Sequence, residues 1–246
     1  RRLFDQVARG MAARAGRLSK LELDRDGAAL HHGAAAGFLD TLACAFAQGP
    51  SPGRRIKCLT GLESVLGRSG PIGKIASRLL GPTSRPVRVI AFDKTDGANW
   101  SLGWHQDRTI CVERRVDLTG FGPWTVKQGM PHVEPPFDLL ARMLTVRIHI
   151  DAVDAENAPL RIALGSHAIG LIAESDILAH VKRSEIHDCL ADAGDVWVYR
   201  TPILHASDRA ANGRRRRVLQ VDYSGDDLPD GLSWFYDQGE AEGGPS

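Results

Sequence analysis

Three places in this sequence set a histidine two residues ahead of an acid: His105-Gln-Asp107, His132-Val-Glu134 and His149-Ile-Asp151. Residues i and i+2 of an extended strand project to the same side, so each pair could offer two ligands to one metal ion. Two imidazoles and one carboxylate suit ferrous iron, because they cover one face of an octahedron and leave three positions for co-substrate and O2. The third ligand must come from a distant histidine, and His205 in "LHASD" is the candidate. Spacing alone does not select the pair, since a chain of this composition holds about one His-x-Asp by chance. His149 lies in an alternating strand and reads as a sheet histidine. His132 lies in a Pro-rich loop, where a ligand or substrate contact is possible.

The surroundings of His205 favour His105 and Asp107. Ser207 follows two residues later, and the run Arg214 to Arg217 opens a strand one loop downstream. The distal carboxylate of 2-oxoglutarate needs a bidentate guanidinium at fixed depth beside the metal, often helped by a hydroxyl. Alone, four arginines read as a solvated patch or a phosphate contact. Beside His205 and Ser207, one of the four reads as the anion partner and the other three as solvent-facing or structural.

The elements that must position these groups change character near residue 86. Before it the chain reads as helical: Leu3, Val7 and Met11 share a face, 34–48 reads as a helix with Phe38, Leu42, Ala45 and Phe46 inward, and 61–66 and 73–80 are further helical pieces. Residues 48–55, dense in Gly and Pro, read as a loop. After it, 87–92, 143–150, 194–199 and 216–223 read as strands, the second with Leu144, Val146, Ile148 and Ile150 on one face and Thr145, Arg147 and His149 on the other. Short strands between Gly, Pro, Asn and Asp turns indicate an antiparallel sandwich or barrel. The expected outline is mainly β with flanking helices, in one domain: helical support over 1–85, a double-sheet core over 86–224 and a tail over 225–246.

The 246 residues are 43% hydrophobic, enough for a sizeable core. The net charge of +1 provides no global field for nucleic acid or an anionic membrane. The terminal arginines have no interleaved aromatics, which also argues against nucleic acid. No apolar run approaches a transmembrane length. Cys44, Cys58, Cys111 and Cys189 show no Cys-x-x-Cys spacing and are expected to be reduced thiols of a cytoplasmic protein, monomeric or homodimeric. Residues 108–136 form a long segment after the first ligand pair, as a substrate lid or binding loop would, or else an edge hairpin without substrate contact. Trp100 and Trp104 flank the pair and read by default as core, and Gln106 should point away from the metal.

Four blocks together carry a resemblance: "FDKTDGANWSLGWHQDRT" (92–109), "NAPLRIALGSH" (157–167), "AGDVWVYRTPILHAS" (193–207) and "RRRRVLQVDY" (214–223). In order and separation they resemble the phytanoyl-CoA dioxygenase family of 2-oxoglutarate oxygenases. The resemblance implies a double-stranded β-helix, or jelly-roll, core behind N-terminal helices. It implies Fe(II), 2-oxoglutarate and O2, with His105, Asp107 and His205 as metal ligands and Ser207 and Arg216 on the distal carboxylate. Thr109 is a weaker candidate for the same pocket. It further implies hydroxylation of a small molecule with release of succinate and CO2, the alternatives being desaturation, epoxidation or cyclisation at the same site, or a non-catalytic metal-binding jelly-roll. Related halogenases carry a small residue in place of Asp107, so its presence favours hydroxylation. Trp104, Arg108, Trp124, Lys127 and His132 are the candidate substrate contacts. The sequence departs from the family blocks at Ala158 and Leu164, both in loops.

Overall fold

The computed structural model describes residues 20–211, 213–229 and 231–237. The helix expected over Leu3, Val7 and Met11 and the terminal "GEAEGGPS" lie outside these residues. Among the described residues thirteen strands follow in chain order, beginning with β1 (Ala28–His31), β2 (Ser51–Arg55), β3 (Arg85–Lys94), β4 (Leu102–His105) and β5 (Ile110–Cys111). Next come β6 (Trp124–Lys127), β7 (Met130–Val133), β8 (Leu144–His149) and β9 (Leu160–Ala163). The last are β10 (Ile186–Cys189), β11 (Val196–Arg200), β12 (His205–Ser207) and β13 (Arg216–Ser224).

They form a six-stranded sheet in the order β1-β11-β8-β13-β3-β2 and a four-stranded sheet in the order β10-β9-β12-β4. The ladders within both are antiparallel. Two such sheets face to face bury a core between them, the jelly-roll architecture expected from sequence. The six-stranded sheet is covered on both faces. Leu144, Val146 and Ile148 of β8 pack outward with Leu42, Leu66, Ile72 and Val89. Thr145, Arg147 and His149 are also buried, facing the second sheet. The outer layer includes the helix Pro71–Leu80, which starts on a proline whose missing N–H costs nothing there. Its Ile72, Ile75 and Ala76 are buried at i, i+3 and i+4 spacing. Gly73 is required on it, because a Cβ would stand 2.0 Å from the Gly67 carbonyl oxygen.

Several expectations are corrected. The helix read over 34–48 is three short pieces, Ala36–Phe38, Leu39–Ala43 and Cys44–Phe46; Leu42, Ala45 and Phe46 are buried, but Phe38 is exposed. The loop read over 48–55 contains edge strand β2, which tolerates Pro52 because an edge leaves one side unpaired, and which shifts register between Ser51 and Arg54. The first 85 residues thus supply both edges of the large sheet, β1 and β2, as well as helices. Within the segment read as a tail, the described residues up to 237 are anchored: Leu232 and Trp234 are buried against Val87, Val112 and Leu140, and the Trp234 indole N–H donates to the Asp226 carbonyl.

Residues 108–136 contain a three-stranded sheet in the order β5-β7-β6, whose β6–β7 hairpin follows an irregular stretch over 113–123. β6 and β7 turn through Gln128 and Gly129, both at positive φ (54° and 78°), with Lys127 opposite Met130. This is the two-residue hairpin geometry that suits the strand twist. No helix among the described residues is long and apolar enough to cross a membrane.

Candidate metal centre

β4 and β12 are neighbours in the smaller sheet, and their register sets His105 opposite His205. Asp107, two residues beyond the end of β4, brings a carboxylate to the same place. One ligand atom from each of the three lies within 4.8 Å of the others, the only such His, Cys, Asp or Glu group among the described residues. The imidazole centroids are 4.2 Å apart.

The neighbours of this trio orient it. His105 Nδ1 lies 2.7 Å from the Gly103 carbonyl oxygen and His205 Nδ1 lies 3.0 Å from that of Ile203. A carbonyl only accepts, so each Nδ1 carries the proton and each Nε2 keeps its lone pair for a metal. Asp107 Oδ2 accepts from Arg88 at 3.2 Å and from Gln220 at 3.3 Å. Burial opposes ionisation of Asp107, but the Arg88 guanidinium, with His205 and His105, outweighs it and holds the carboxyl well below the usual range. Burial, together with the adjacent His105, lowers His205 to about 4. A neutral imidazole and an ionised carboxylate are the forms that bind a divalent cation.

The competing pairs are separated. Asp151 is engaged by Arg217, at 2.6 Å to its terminal nitrogen. His149 is buried with neither ring nitrogen bonded. His132 is buried in β7, its Nδ1 2.9 Å from the Met130 carbonyl. Burial keeps both imidazoles neutral, lowering His132 to about 4 and His149 to about 3. A histidine whose folded pKa is depressed stabilises the fold above its unfolded pKa and loses that contribution as pH falls towards the folded value. The metal-free protein should therefore lose about 1.4 kcal/mol per pH unit for each of these two histidines once pH drops below about 6.5. Chemical denaturation across pH 7 to 4 measures this, and His149→Leu should remove its share of the slope.

The arginine run divides sharply. Arg214 pairs with Asp154, Arg215 with Asp93 at 2.7 Å, and Arg217 with Asp151. Arg216 alone turns inward: it is 3% exposed, its Nη1 donates to the Ala158 carbonyl, and its Nε has no partner. Beside it are the hydroxyl of Ser207 and the ammonium of Lys94, 3.3 Å from one another. Burial, with Arg147 nearby, pushes Arg216 down to about 9, and burial, with Arg216 and Arg147, pushes Lys94 down to about 7. These cations have no carboxylate partner among the described residues, a configuration that an incoming anion would relieve.

A cavity of about 550 Å³ joins the trio to this cationic end. Trp104, Arg108, Thr109 and Lys127 line it. So does Trp100, and core packing was the default reading for both tryptophans. Thr109 stands at the far end from Arg216, its carbonyl accepting from Arg88 at 3.2 Å. Two expected substrate contacts are displaced. Trp124 packs with the cluster around Val87 and Trp234, under the Arg115 guanidinium, and His132 sits behind the wall. Gln106 turns away and binds the Gly170 and Pro202 carbonyls and the Ile172 amide. Sequence reasoning missed Arg55, Arg88, Lys94 and Gln220. Only the alternation of β3 and β13 could have placed the last three on the cavity face.

A phytanoyl-CoA dioxygenase family model matches residues 72–218. A search of curated protein sequences gave no match. Similar solved structures include EctD from S. alaskensis with 2-oxoglutarate and 5-hydroxyectoine (17% identity, 82% of this chain and 73% of that one, TM-score 0.59). HygX from Streptomyces hygroscopicus with nickel and 2-oxoglutarate is similar at 12% identity, over 82% and 83% of the two chains, with a TM-score of 0.55. SnoN, a non-haem α-ketoglutarate-dependent epimerase from nogalamycin biosynthesis, is similar at 15% identity, over 91% and 87%, with a TM-score of 0.57. The jelly-roll fold, the matched family model and a donor set fitted to iron and 2-oxoglutarate agree, and the chain belongs to the phytanoyl-CoA dioxygenase family of non-haem iron, 2-oxoglutarate-dependent oxygenases.

Proposed function

We propose that His105, Asp107 and His205 hold Fe(II), that Arg216 and Ser207 bind the distal carboxylate of 2-oxoglutarate, and that the enzyme hydroxylates an unactivated C–H bond of a small molecule. The observation that carries this reading is the cavity joining three convergent donors to a buried guanidinium with an unpartnered Nε. Bound iron, with 2-oxoglutarate and O2, supplies the oxidising power, leaving succinate and CO2.

The protein's own groups bind, orient and exclude water. The Gly103 and Ile203 carbonyls hold the two imidazoles in the tautomer that presents Nε2. Arg88 and Gln220 fix the Asp107 carboxylate by its Oδ2. Arg216 and Ser207 recognise a carboxylate, and Leu160, Ile90 and Phe92 line the wall with apolar surface that keeps water away. A small-molecule substrate is supported by the cavity size and by the hygromycin B bound to HygX and the 5-hydroxyectoine bound to EctD.

The test is succinate formation from 2-oxoglutarate with Fe(II) and ascorbate across a substrate panel. Absence of turnover, coupled or uncoupled, would overturn the reading. Arg216→Gln should raise the KM for 2-oxoglutarate by about 10- to 100-fold, the value of a charge-assisted hydrogen bond pair, while the metal stays bound. An unchanged KM would remove Arg216 from the co-substrate site.

A further inference from the structure

Beyond the groups that iron and 2-oxoglutarate would use, four more cations line the cavity: Arg147 donates to Gln220, Arg108 donates to the Ile172 carbonyl, and the remaining two are Arg55 and Lys127. They come from different sheets, β2 and β6, and neither forms an ion pair with a described residue. Arg55 donates through Nε to His132 Nε2 at 3.4 Å. His132 Nδ1 is committed to the Met130 carbonyl and the ring is neutral, so its Nε2 is an acceptor that aims a guanidinium without neutralising it. Lys127 is lowered by burial and by the neighbouring Arg88 and Arg55. The acid nearest both is Asp107, already held by Arg88 and Gln220. Glu174, the other acidic side chain of the wall, pairs with neither.

A specific device keeps these like charges together. Gln128, at the tip of the β6–β7 hairpin, accepts from the Arg55 backbone N–H at 2.9 Å through Oε1. Its Nε2 donates to the Gly53 carbonyl, also at 2.9 Å. One side-chain amide thereby pairs with the edge of β2 and brings Lys127, the preceding residue, to the same rim as Arg55.

The register separates this pair from the co-substrate anchor. Arg55, Ile90 and Gln220 lie in one row across β2, β3 and β13, and Gln220 touches Asp107. Arg216 is four residues back along β13, roughly 13 Å away at strand spacing. A 2-oxoglutarate reaching from the metal to Arg216 therefore leaves Arg55 and Lys127 unneutralised on the other side.

We infer that Arg55 and Lys127, clasped by Gln128 and aimed by His132, form a substrate subsite for an oxyanion, so that the molecule oxidised carries a carboxylate or a phosphate monoester. This rests on the iron reading above and extends it to the substrate class. The test is calorimetric titration of the protein loaded anaerobically with Fe(II) and 2-oxoglutarate. The probes are propionate, methyl phosphate and, as the uncharged control, propionamide. At least one anion should bind and propionamide should not; the tighter anion identifies the carboxylate or the phosphate as the recognised group. Arg55→Gln/Lys127→Gln should weaken that binding by roughly tenfold or more. The visible absorption band of the iron–2-oxoglutarate chelate should survive in the double variant, and Arg68→Gln, on the exposed surface, should change nothing. If the band forms but neither anion binds, or the double variant binds them as well as the wild type, the subsite is refuted alone. If the band fails to form in the wild type, the iron reading fails and the subsite falls with it.

Discussion

Replacing His205 with alanine is expected to abolish iron-dependent turnover and to cost the protein its stoichiometric metal. Loss of an outer hydrogen-bond partner typically weakens a metal site ~10- to 100-fold; loss of a direct ligand should exceed that. His205 has no substitute nearby. His149, also buried, lies on the other sheet, in β8, and no acid joins it. His149→Ala should therefore retain one metal per chain while His205→Ala does not, with metal content read after dialysis against Fe(II) under nitrogen. The reverse pattern would place the centre at His149 and Asp151, and the His105–His205 register would then be irrelevant to chemistry.

The second large effect belongs to Arg88. Its side chain is 4% exposed and bridges two carboxylates, Asp222 and Asp107. Arg88→Met removes the cation and strands Asp222, itself 2% exposed. Breaking a buried pair from one side costs about 3–5 kcal/mol, so Tm should fall by roughly 6–20 °C for a domain of this size. Metal affinity should also fall, by ~10- to 100-fold, because Asp107 loses an orienting donor. The combination Arg88→Met/Asp222→Asn separates the two effects. It discharges the stranded acid while Thr145, 3.0 Å from Asp222, can still bond the amide, so much of the Tm should return. Metal affinity should not return. Recovery of both would show that Arg88 acts on the fold alone.

The parts of this protein that were legible in its sequence are those where local pattern and burial agree. Strand β8 alternates, and the alternation matches its two faces even though all its residues are buried, because one face meets the outer hydrophobic layer and the other the second sheet, where Arg147 lines the cavity. The inward arginine was selected by the spacing of the family resemblance, and the structure gives each of its three neighbours an aspartate partner and Arg216 none. The illegible parts depend on long-range register. "SPGRR" has the composition of a turn and becomes a strand only because β3 offers an edge. Arg55 is adjacent to Lys127 through a glutamine 73 positions from it in sequence, a distance no local window spans. His132 and Trp124 were sensible substrate candidates by type and segment. The hairpin twist puts His132 behind the cavity wall and Trp124 against Trp234.

The place of β13 has a consequence for how the molecule is made. This strand is synthesised after every other strand of the six-stranded sheet, yet it lies inside that sheet, between β8 and β3. Until residue 224 has left the ribosome, β8 and β3 have each lost their shared neighbour and present open backbone edges. Such edges recruit other strands, and a sheet closed by its final strand is one of high contact order, slow to form. Arg216, Gln220 and Asp222 arrive on that same strand. The proposed metal site thus gains the Gln220 donor to Asp107, and Arg88 gains its partner Asp222, only when the sheet closes; a nascent chain halted before then would have Gly103, Ile203 and Arg88 at the trio but neither of these nor Arg216.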